Sequence, residues 1–182
     1  CFHSISAFCN AGFDIFGTVN NKFISLVNYV SNPVINIVII SLIVIGGIGF
    51  LTWEDICKHK LDFMKYRLQT KLILITTLIL IVVPAIFFFY IDFSDLSGSN
   101  RILASLFQSV TLRTAGFNTV DMTQMSEASK MLMIMLMLIG GCPGSTAGGM
   151  KTTTVAVIFL NTISTFLRKE DTEAFDRRIE NT

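Results

Sequence analysis

Charge is distributed along this chain in a way that few folds can use. Only 15% of its 182 residues are charged, against about 25% in a soluble domain, and they are bunched. No charged residue occurs between Lys22 and Glu54, none from Leu72 to Ile91, and none from Met131 to Met150. Each run is at least 20 residues long, and about 20 apolar residues in a helix cross a hydrocarbon core of roughly 30 Å. With 52% hydrophobic residues in all, three such runs predict an all-α, multi-pass membrane protein. A net charge of +1 offers no basis for a nucleic-acid partner. No Ser/His/Asp set or carboxylate pair suggests catalysis, so the chain is not read as an enzyme.

The chain opens on Cys1 with no initiator methionine or signal peptide, and reads as an internal piece of something longer. On the topology argued below, Cys9, Cys57 and Cys142 fall at different depths or sides of the membrane. That argues against a disulfide or a zinc site among them.

The first expected span is Pro33–Thr52, with Ser31 and Asn32 as capping types and Pro33 suited to the first helical position. The second is Leu72–Ile91, with a kink expected at Pro84 from its missing N–H. Between them, 53–71 is amphipathic and carries Lys58, Lys60, Lys65, Arg67 and Lys71, whereas 92–130 holds only three basic residues in 39. The positive-inside rule puts 53–71 and the tail (Arg168, Lys169, Arg177, Arg178) in the cytoplasm and 92–130 outside a plasma membrane. Residues Arg101–Arg113 read as a helix too short to span, followed at once by a glycine turn, Thr114-Ala-Gly-Phe-Asn-Thr119. Taken alone, that segment is either a re-entrant pore loop or a helix lying flat at the interface.

From Met131 to Leu167 the only charge is Lys151. A single helix of those 37 residues would reach roughly 55 Å, well beyond the core. At its centre lies GGCPGSTAGG, Gly140–Gly149, where six of ten residues are Gly or Pro, disfavoured in helices by about 1 and 3 kcal/mol per residue. The helix must break there. Irregular backbone at membrane depth survives only buried in protein or lining an aqueous cavity, which marks Gly140, Gly141, Cys142, Pro143, Gly144, Ser145, Thr146, Ala147, Gly148, Gly149 and Lys151 as a pathway element.

Internal similarity decides the pore-loop question. FHSISAFCNAGFDIFG from Phe2 matches FQSVTLRTAGFNTVD from Phe107 with one residue of gap, aligning Gly12 on Gly116 and Phe13 on Phe117. Ile45-Gly-Gly-Ile-Gly49 then falls opposite Ile139-Gly-Gly-Cys-Pro143. The repeating unit is span, short helix, glycine loop, span. About one and a half units are present: the end of one over 1–71, and the next over 72–182.

A potassium ion entering a membrane loses its water, and channels replace it with rings of backbone carbonyls. Glycine lets successive carbonyls face one axis, and a short helix ending at the same point directs the negative end of its dipole there. Gly12 and Gly116 fit this role, flanked by Asn10, Ala11, Phe13, Thr114, Ala115 and Phe117, with Asp14 and Asn118 as acceptors near the outer mouth. Roughly fourfold coordination needs two more loops, from further repeats or a second chain.

The NAGF and TAGF loops, the repeat around them and IGGCPGSTAGGMKTTT resemble the Trk/Ktr/HKT superfamily of potassium transporters, most closely its bacterial Ktr-type membrane subunits. The resemblance covers essentially the whole chain. It implies four span–loop–span repeats around one central pore, one filter glycine per repeat (here Gly12 and Gly116), and a gating loop on Gly140–Lys151 below the filter. It also implies homodimers within membrane lipid, and a cytosolic nucleotide-binding regulatory subunit on the inner face. NAGF and TAGF depart from the TVGYG of simple potassium channels, which leaves a place for Na+ beside K+.

Other readings compete at single positions. Gly144–Thr152 nearly spells a phosphate loop, but Met150 separates glycine from lysine and no strand precedes it. Gly46, Gly47 and Gly49 read as helix packing. Lys151 either snorkels to the interface or charges the pathway. Arg113 reads as paired with a carboxylate behind its loop, His3 as a hydrogen-bonding residue of the first short helix, and the Met131–Met137 run as lipid-facing or packing. The rival function is a secondary transporter of another monovalent cation, or of an ion-coupled solute, with broken helices. Repeats in the same orientation and spans without acidic residues favour the pore.

Overall fold

The computed structural model describes residues 1–17, 24–60, 62–96 and 98–167, together with tail residues 172–174 and 177–179. A short helix α1 (Phe2–Phe8) enters a loop and is followed by α2 (Pro33–Ile48). Asn32 caps α2, its side-chain oxygen accepting from the N–H groups of Val34 and Ile35 at 3.1 and 3.3 Å, with Pro33 at the first turn.

The span expected to continue to Thr52 stops at Ile48. Gly49 adopts φ +93°, and α3 (Phe50–His59) leaves at 95° to α2. Hydropathy could not register this bend, because Phe50, Leu51 and Trp53 prolong the apolar run past it. By contrast α4 (Leu68–Ile91) is one helix of 24 residues, Pro84 included, with a mean hydropathy of 3.0 in its most apolar window. It starts ahead of the expected Leu72, since charge marks the edge of the hydrocarbon and not the end of a helix. Then come α5 (Gly98–Thr111), the short helix expected at 101–113, and the broken pair α6 (Glu127–Leu138) and α7 (Thr152–Phe166). The body is all-helical, as expected; the tail adds one short antiparallel pair, β1 (Thr172–Ala174) with β2 (Arg177–Ile179). Arg168 and Lys169 lie outside the described residues.

Packing is inverted relative to a soluble domain. Leu78, Ile79, Val82, Val83 and Ile86 of α4, and Ile134, Met135, Met137 and Leu138 of α6, point outward. Asn36, Thr77, Ser105, Gln108, Ser109 and Thr152 are buried. Small and polar residues at helix contacts with apolar residues outside are what a lipid environment selects. The methionine run serves both expected ends, with Met133 buried and Met131 and Met135 exposed. One apolar cluster joins α1, α2 and α5 through Ala7, Ile39, Ile43, Phe107 and Val110; it also takes in Ala115 and Phe117 of the second glycine loop. Another joins α4, α5 and α6 through Phe88, Ala104, Met133 and Leu136.

Polar staples fix the ends of the elements. Asp92, after α4, accepts from the Ser126 N–H at 2.8 Å and from the Ser129 hydroxyl at the start of α6. Arg101 of α5 donates to the Phe89 carbonyl at 2.8 and 2.6 Å while lying over its ring. Asp55 of α3 is buried and organises the linker to α4. Its Oδ2 accepts from the Arg67 N–H at 2.9 Å, and His59 Nδ1 lies 3.1 Å from Oδ1. Burial pushes this carboxyl up, but hydrogen bonds from Thr70, Arg67 and His59 outweigh it and hold the pKa below its ordinary value. A depressed carboxyl stabilises the fold above its unfolded value, about 3.9, and that stabilisation disappears as pH falls through the lower folded value. Asp55→Ala in the full-length protein is therefore expected to lower the melting temperature at pH 7, by about 2 kcal/mol of stability from lost charged hydrogen bonds. The gap to the parent should narrow as pH falls below the unfolded carboxyl value of about 3.9, as read by thermal unfolding in detergent across that range.

Candidate functional site

The two glycine loops meet. An added Cβ on Gly12 would stand 2.2 Å from the Ala115 carbonyl oxygen and 3.2 Å from Gly116 Cα, and one on Gly116 would stand 3.6 Å from Gly12 Cα. Both loops trace the same path. Aligned Asn10 and Thr114 have φ +52° and +75°, and Gly12 and Gly116 have +70° and +83°. Left-handed backbone at Asn10 and Thr114 is uncommon for residues with a side chain, so its recurrence at matched positions reflects a shared loop geometry.

The loops hang from their short helices by the same bonds. The Ser6 carbonyl accepts from the Ala11 N–H at 2.9 Å; the Thr111 carbonyl accepts from the N–H groups of Ala115 and Gly116 at 3.1 and 3.2 Å. The Ser6 hydroxyl donates to the Phe13 carbonyl at 2.8 Å, and the Thr111 hydroxyl to the Phe117 carbonyl at 2.7 Å. Among the described residues, no hydrogen bond is accepted by the carbonyls of Asn10, Ala11, Gly12, Thr114, Ala115 or Gly116. Backbone carbonyls away from water are almost always paired. These six, three from each loop, are left without a protein partner among the described residues.

The loops differ in surroundings. Phe117 is fully buried and Ala115 nearly so, because the first loop and α2 lie against them. Phe13 is 70% exposed. Near the loops, Asp14 accepts from the Phe16 N–H at 3.2 Å, Asn118 Oδ1 is buried without a partner, and His3 Nε2 accepts from the Ile15 N–H at 3.4 Å.

Between α6 and α7 the chain forms a closed loop. Its neck is sewn by Gly140 N–H to the Met150 carbonyl at 2.9 Å, Gly141 N–H to the Gly148 carbonyl at 3.2 Å, and Thr152 N–H to the Gly141 carbonyl at 3.2 Å. A Cβ on Gly140 would fall 1.8 Å from the Gly148 oxygen, so only glycine allows the neck to close. The crown, Cys142–Ala147, reaches across to α2 and the start of α3, with Cys142 N–H donating to the Gly47 carbonyl at 3.0 Å and Phe50 N–H to the Gly144 carbonyl at 3.1 Å. The Thr146 hydroxyl bonds to the Phe8 carbonyl at 2.9 Å and the Gly46 carbonyl at 3.1 Å, and Asn10 Nδ2 lies 3.3 Å from it. At the neck, a Cβ on Gly149 would stand 3.6 Å from the Thr114 methyl. The interruption is thus bonded to Asn10 of the first glycine loop and lies beside Thr114 of the second.

The sequence profile of the TrkH cation transport proteins matches residues 1–181. The chain belongs to the TrkH cation transport family. Among curated relatives, it is 36% identical to the Ktr system potassium uptake protein B of Vibrio alginolyticus, over 98% of this chain and 39% of that protein. It is 39% identical to the potassium/sodium uptake protein NtpJ of Enterococcus hirae, again over 98% of this chain and 39% of that one. It therefore spans about two fifths of the length of these relatives. A crystal structure of the potassium transporter TrkH from Vibrio parahaemolyticus superposes with a TM-score of 0.72 at 22% identity, over 91% of this chain and 35% of that one. That likeness establishes the fold. The family is one of membrane cation transporters, not of enzymes.

Within this TrkH-family fold, several single-residue expectations change. Gly46, read as helix packing, seats the last residue of α1, whereas Gly49, read the same way, faces the closed loop. A Cβ on Gly46 would stand 1.9 Å from the Phe8 oxygen, and one on Gly49 2.5 Å from the Pro143 oxygen. Lys151 Nζ donates to the Ala147 carbonyl at 2.9 Å and ties neck to crown. Arg113 has no carboxylate beside it among the described residues, and its Nε and Nη1 are buried without hydrogen-bond partners. Sequence reasoning passed over Ser6 and Thr111, although the gapped repeat aligns these two hydroxyls.

Proposed function

We propose that this chain builds part of the pore of a potassium uptake channel or transporter, with Na+ as a second permeant or coupled ion. The observation that carries this reading is the contact of the Gly12 and Gly116 loops, whose carbonyls from Asn10 to Gly12 and from Thr114 to Gly116 have no protein partner among the described residues. An ion stripped of water needs such oxygens. Phe13 and Phe117 complete the filter segment, their carbonyls held against the short helices. Further loops of the full-length protein close the ring against the exposed flank of Phe13. The closed loop at Gly140–Lys151 acts as the gate, braced on the first glycine loop through Thr146.

In this reading the glycine loops open to the outside and 53–71 and the tail face the cytoplasm, where a nucleotide-binding regulatory subunit docks on a homodimer. The names borne by the Vibrio and Enterococcus relatives support potassium and sodium as the transported ions. The direct test is expression of the full-length protein in a bacterial strain without its own potassium uptake systems. Growth at low potassium and measured K+ uptake are expected. A protein present in the membrane that moves neither K+ nor Na+ would refute the proposal.

A further inference from the structure

Ser6 and Thr111 grip their loops at two points each. The carbonyl of the residue accepts from the loop's N–H groups just before or at the glycine, and its hydroxyl donates to the carbonyl just after. Both side chains are buried, with 6% and 2% exposure. The repeat is out of step by one residue between helix and glycine, so Ser6 lies seven residues before Phe13 and Thr111 six before Phe117. The bracket is nonetheless the same at both places. Conservation of a bond across an insertion shows that its geometry matters more than the local spacing.

We infer that the Ser6 and Thr111 hydroxyls are positioning residues for ion selectivity. This rests on the filter reading above. Each bracket pins the two ends of a three-residue stretch and leaves its intervening carbonyls unbonded. An oxygen cage held from behind resists drawing in around an ion smaller than K+, and a loop freed at its far end does not. The hydroxyls touch no ion themselves. They act through the Phe13 and Phe117 peptide groups, whose orientation they set.

The test is made in the full-length protein by replacing Thr111 with Val, which keeps shape and removes the donor, and Ser6 with Ala. Apparent KM values for K+ and for Na+ are measured together with uptake rate and membrane abundance. Thr111→Val is expected to lower discrimination for K+ over Na+ by about fivefold, the scale of one lost hydrogen bond, and Ser6→Ala by a similar factor. Thr111→Ser and Ser6→Thr retain the donor and should restore it. A purely structural role would lower abundance or rate for both ions while leaving the KM ratio at the parent value, and that outcome overturns the inference. If Thr111→Val fails to reach the membrane, Ser6→Ala alone decides by the same ratio. Gly12→Ala, run in parallel, separates the two levels. A changed Gly12→Ala with unchanged hydroxyl variants rejects only the inference, whereas an unchanged Gly12→Ala rejects the filter reading with it.

Discussion

Gly12→Ala in the full-length protein is expected to reduce K+ uptake at low potassium by at least about tenfold, with the protein still in the membrane. The added methyl would stand 2.2 Å from the Ala115 carbonyl oxygen, and that neighbour is backbone, unable to swing away. The residue also sits at φ +70°, where a side chain adds strain of roughly 1–2 kcal/mol. Relief requires the two loops to separate, which moves the oxygens proposed to hold the ion. A rate change of tenfold needs only about 1.4 kcal/mol, less than the combined strain and displacement. Gly116→Ala is the informative companion. Its methyl would meet only Gly12 Cα, at an ordinary 3.6 Å, so within this chain its effect is limited to backbone strain. A loss as deep as that of Gly12→Ala would report another loop on the open side of Gly116. Normal affinity and selectivity in Gly12→Ala would remove the filter assignment.

The second large effect is expected in the opposite direction. Deleting Cys142–Ala147 and joining Gly141 to Gly148 should raise the maximal K+ uptake rate several-fold. The join is sterically reasonable, because the Gly141 N–H already bonds to the Gly148 carbonyl at 3.2 Å. The Gly140 N–H to Met150 carbonyl bond remains available across the join, while the crown that leans on α2 and Phe8 is gone. Thr146→Val is the milder form, removing the hydroxyl bonds to the Phe8 and Gly46 carbonyls and raising the rate by a smaller factor. A gate that obstructs the path predicts faster uptake in both. If the loop were only a brace for the first glycine loop, both changes would slow uptake and weaken K+ affinity. Rates at saturating potassium, normalised to protein in the membrane, discriminate the two.

Much of this was readable from residue order. The distribution of charge located the membrane-embedded stretches, and the density of glycine and proline at Gly140–Gly149 located the break between α6 and α7. The recurrence of Ala-Gly-Phe after an apolar short helix pointed to Gly12 and Gly116. These signals are local: each depends on what a short segment cannot do, such as continue a helix through Gly-Gly-Cys-Pro-Gly. Boundaries were less legible. The bend at Gly49 was not marked because the apolar run continues through Phe50, Leu51 and Trp53 before the first charge at Glu54. The tail strands carried no pattern that set them apart from a charged linker.

Pairings over long distances were not legible at all. Gly46 and Gly49 read as ordinary small residues of a helix surface, and their real neighbours, Phe8 and Pro143, come from far along the chain. Arg113 reads as paired with a carboxylate because on the pore axis it would repel a cation, and no acidic side chain pairs with it among the described residues. The class of protein, its embedded stretches and its two matched loops thus follow from sequence, since lipid and backbone stereochemistry act on each segment separately. Which carbonyls lack partners, which hydroxyls grip them and what the closed loop rests upon were decided only by tertiary packing, because a hydrogen bond is satisfied by whatever the fold brings within about 3 Å.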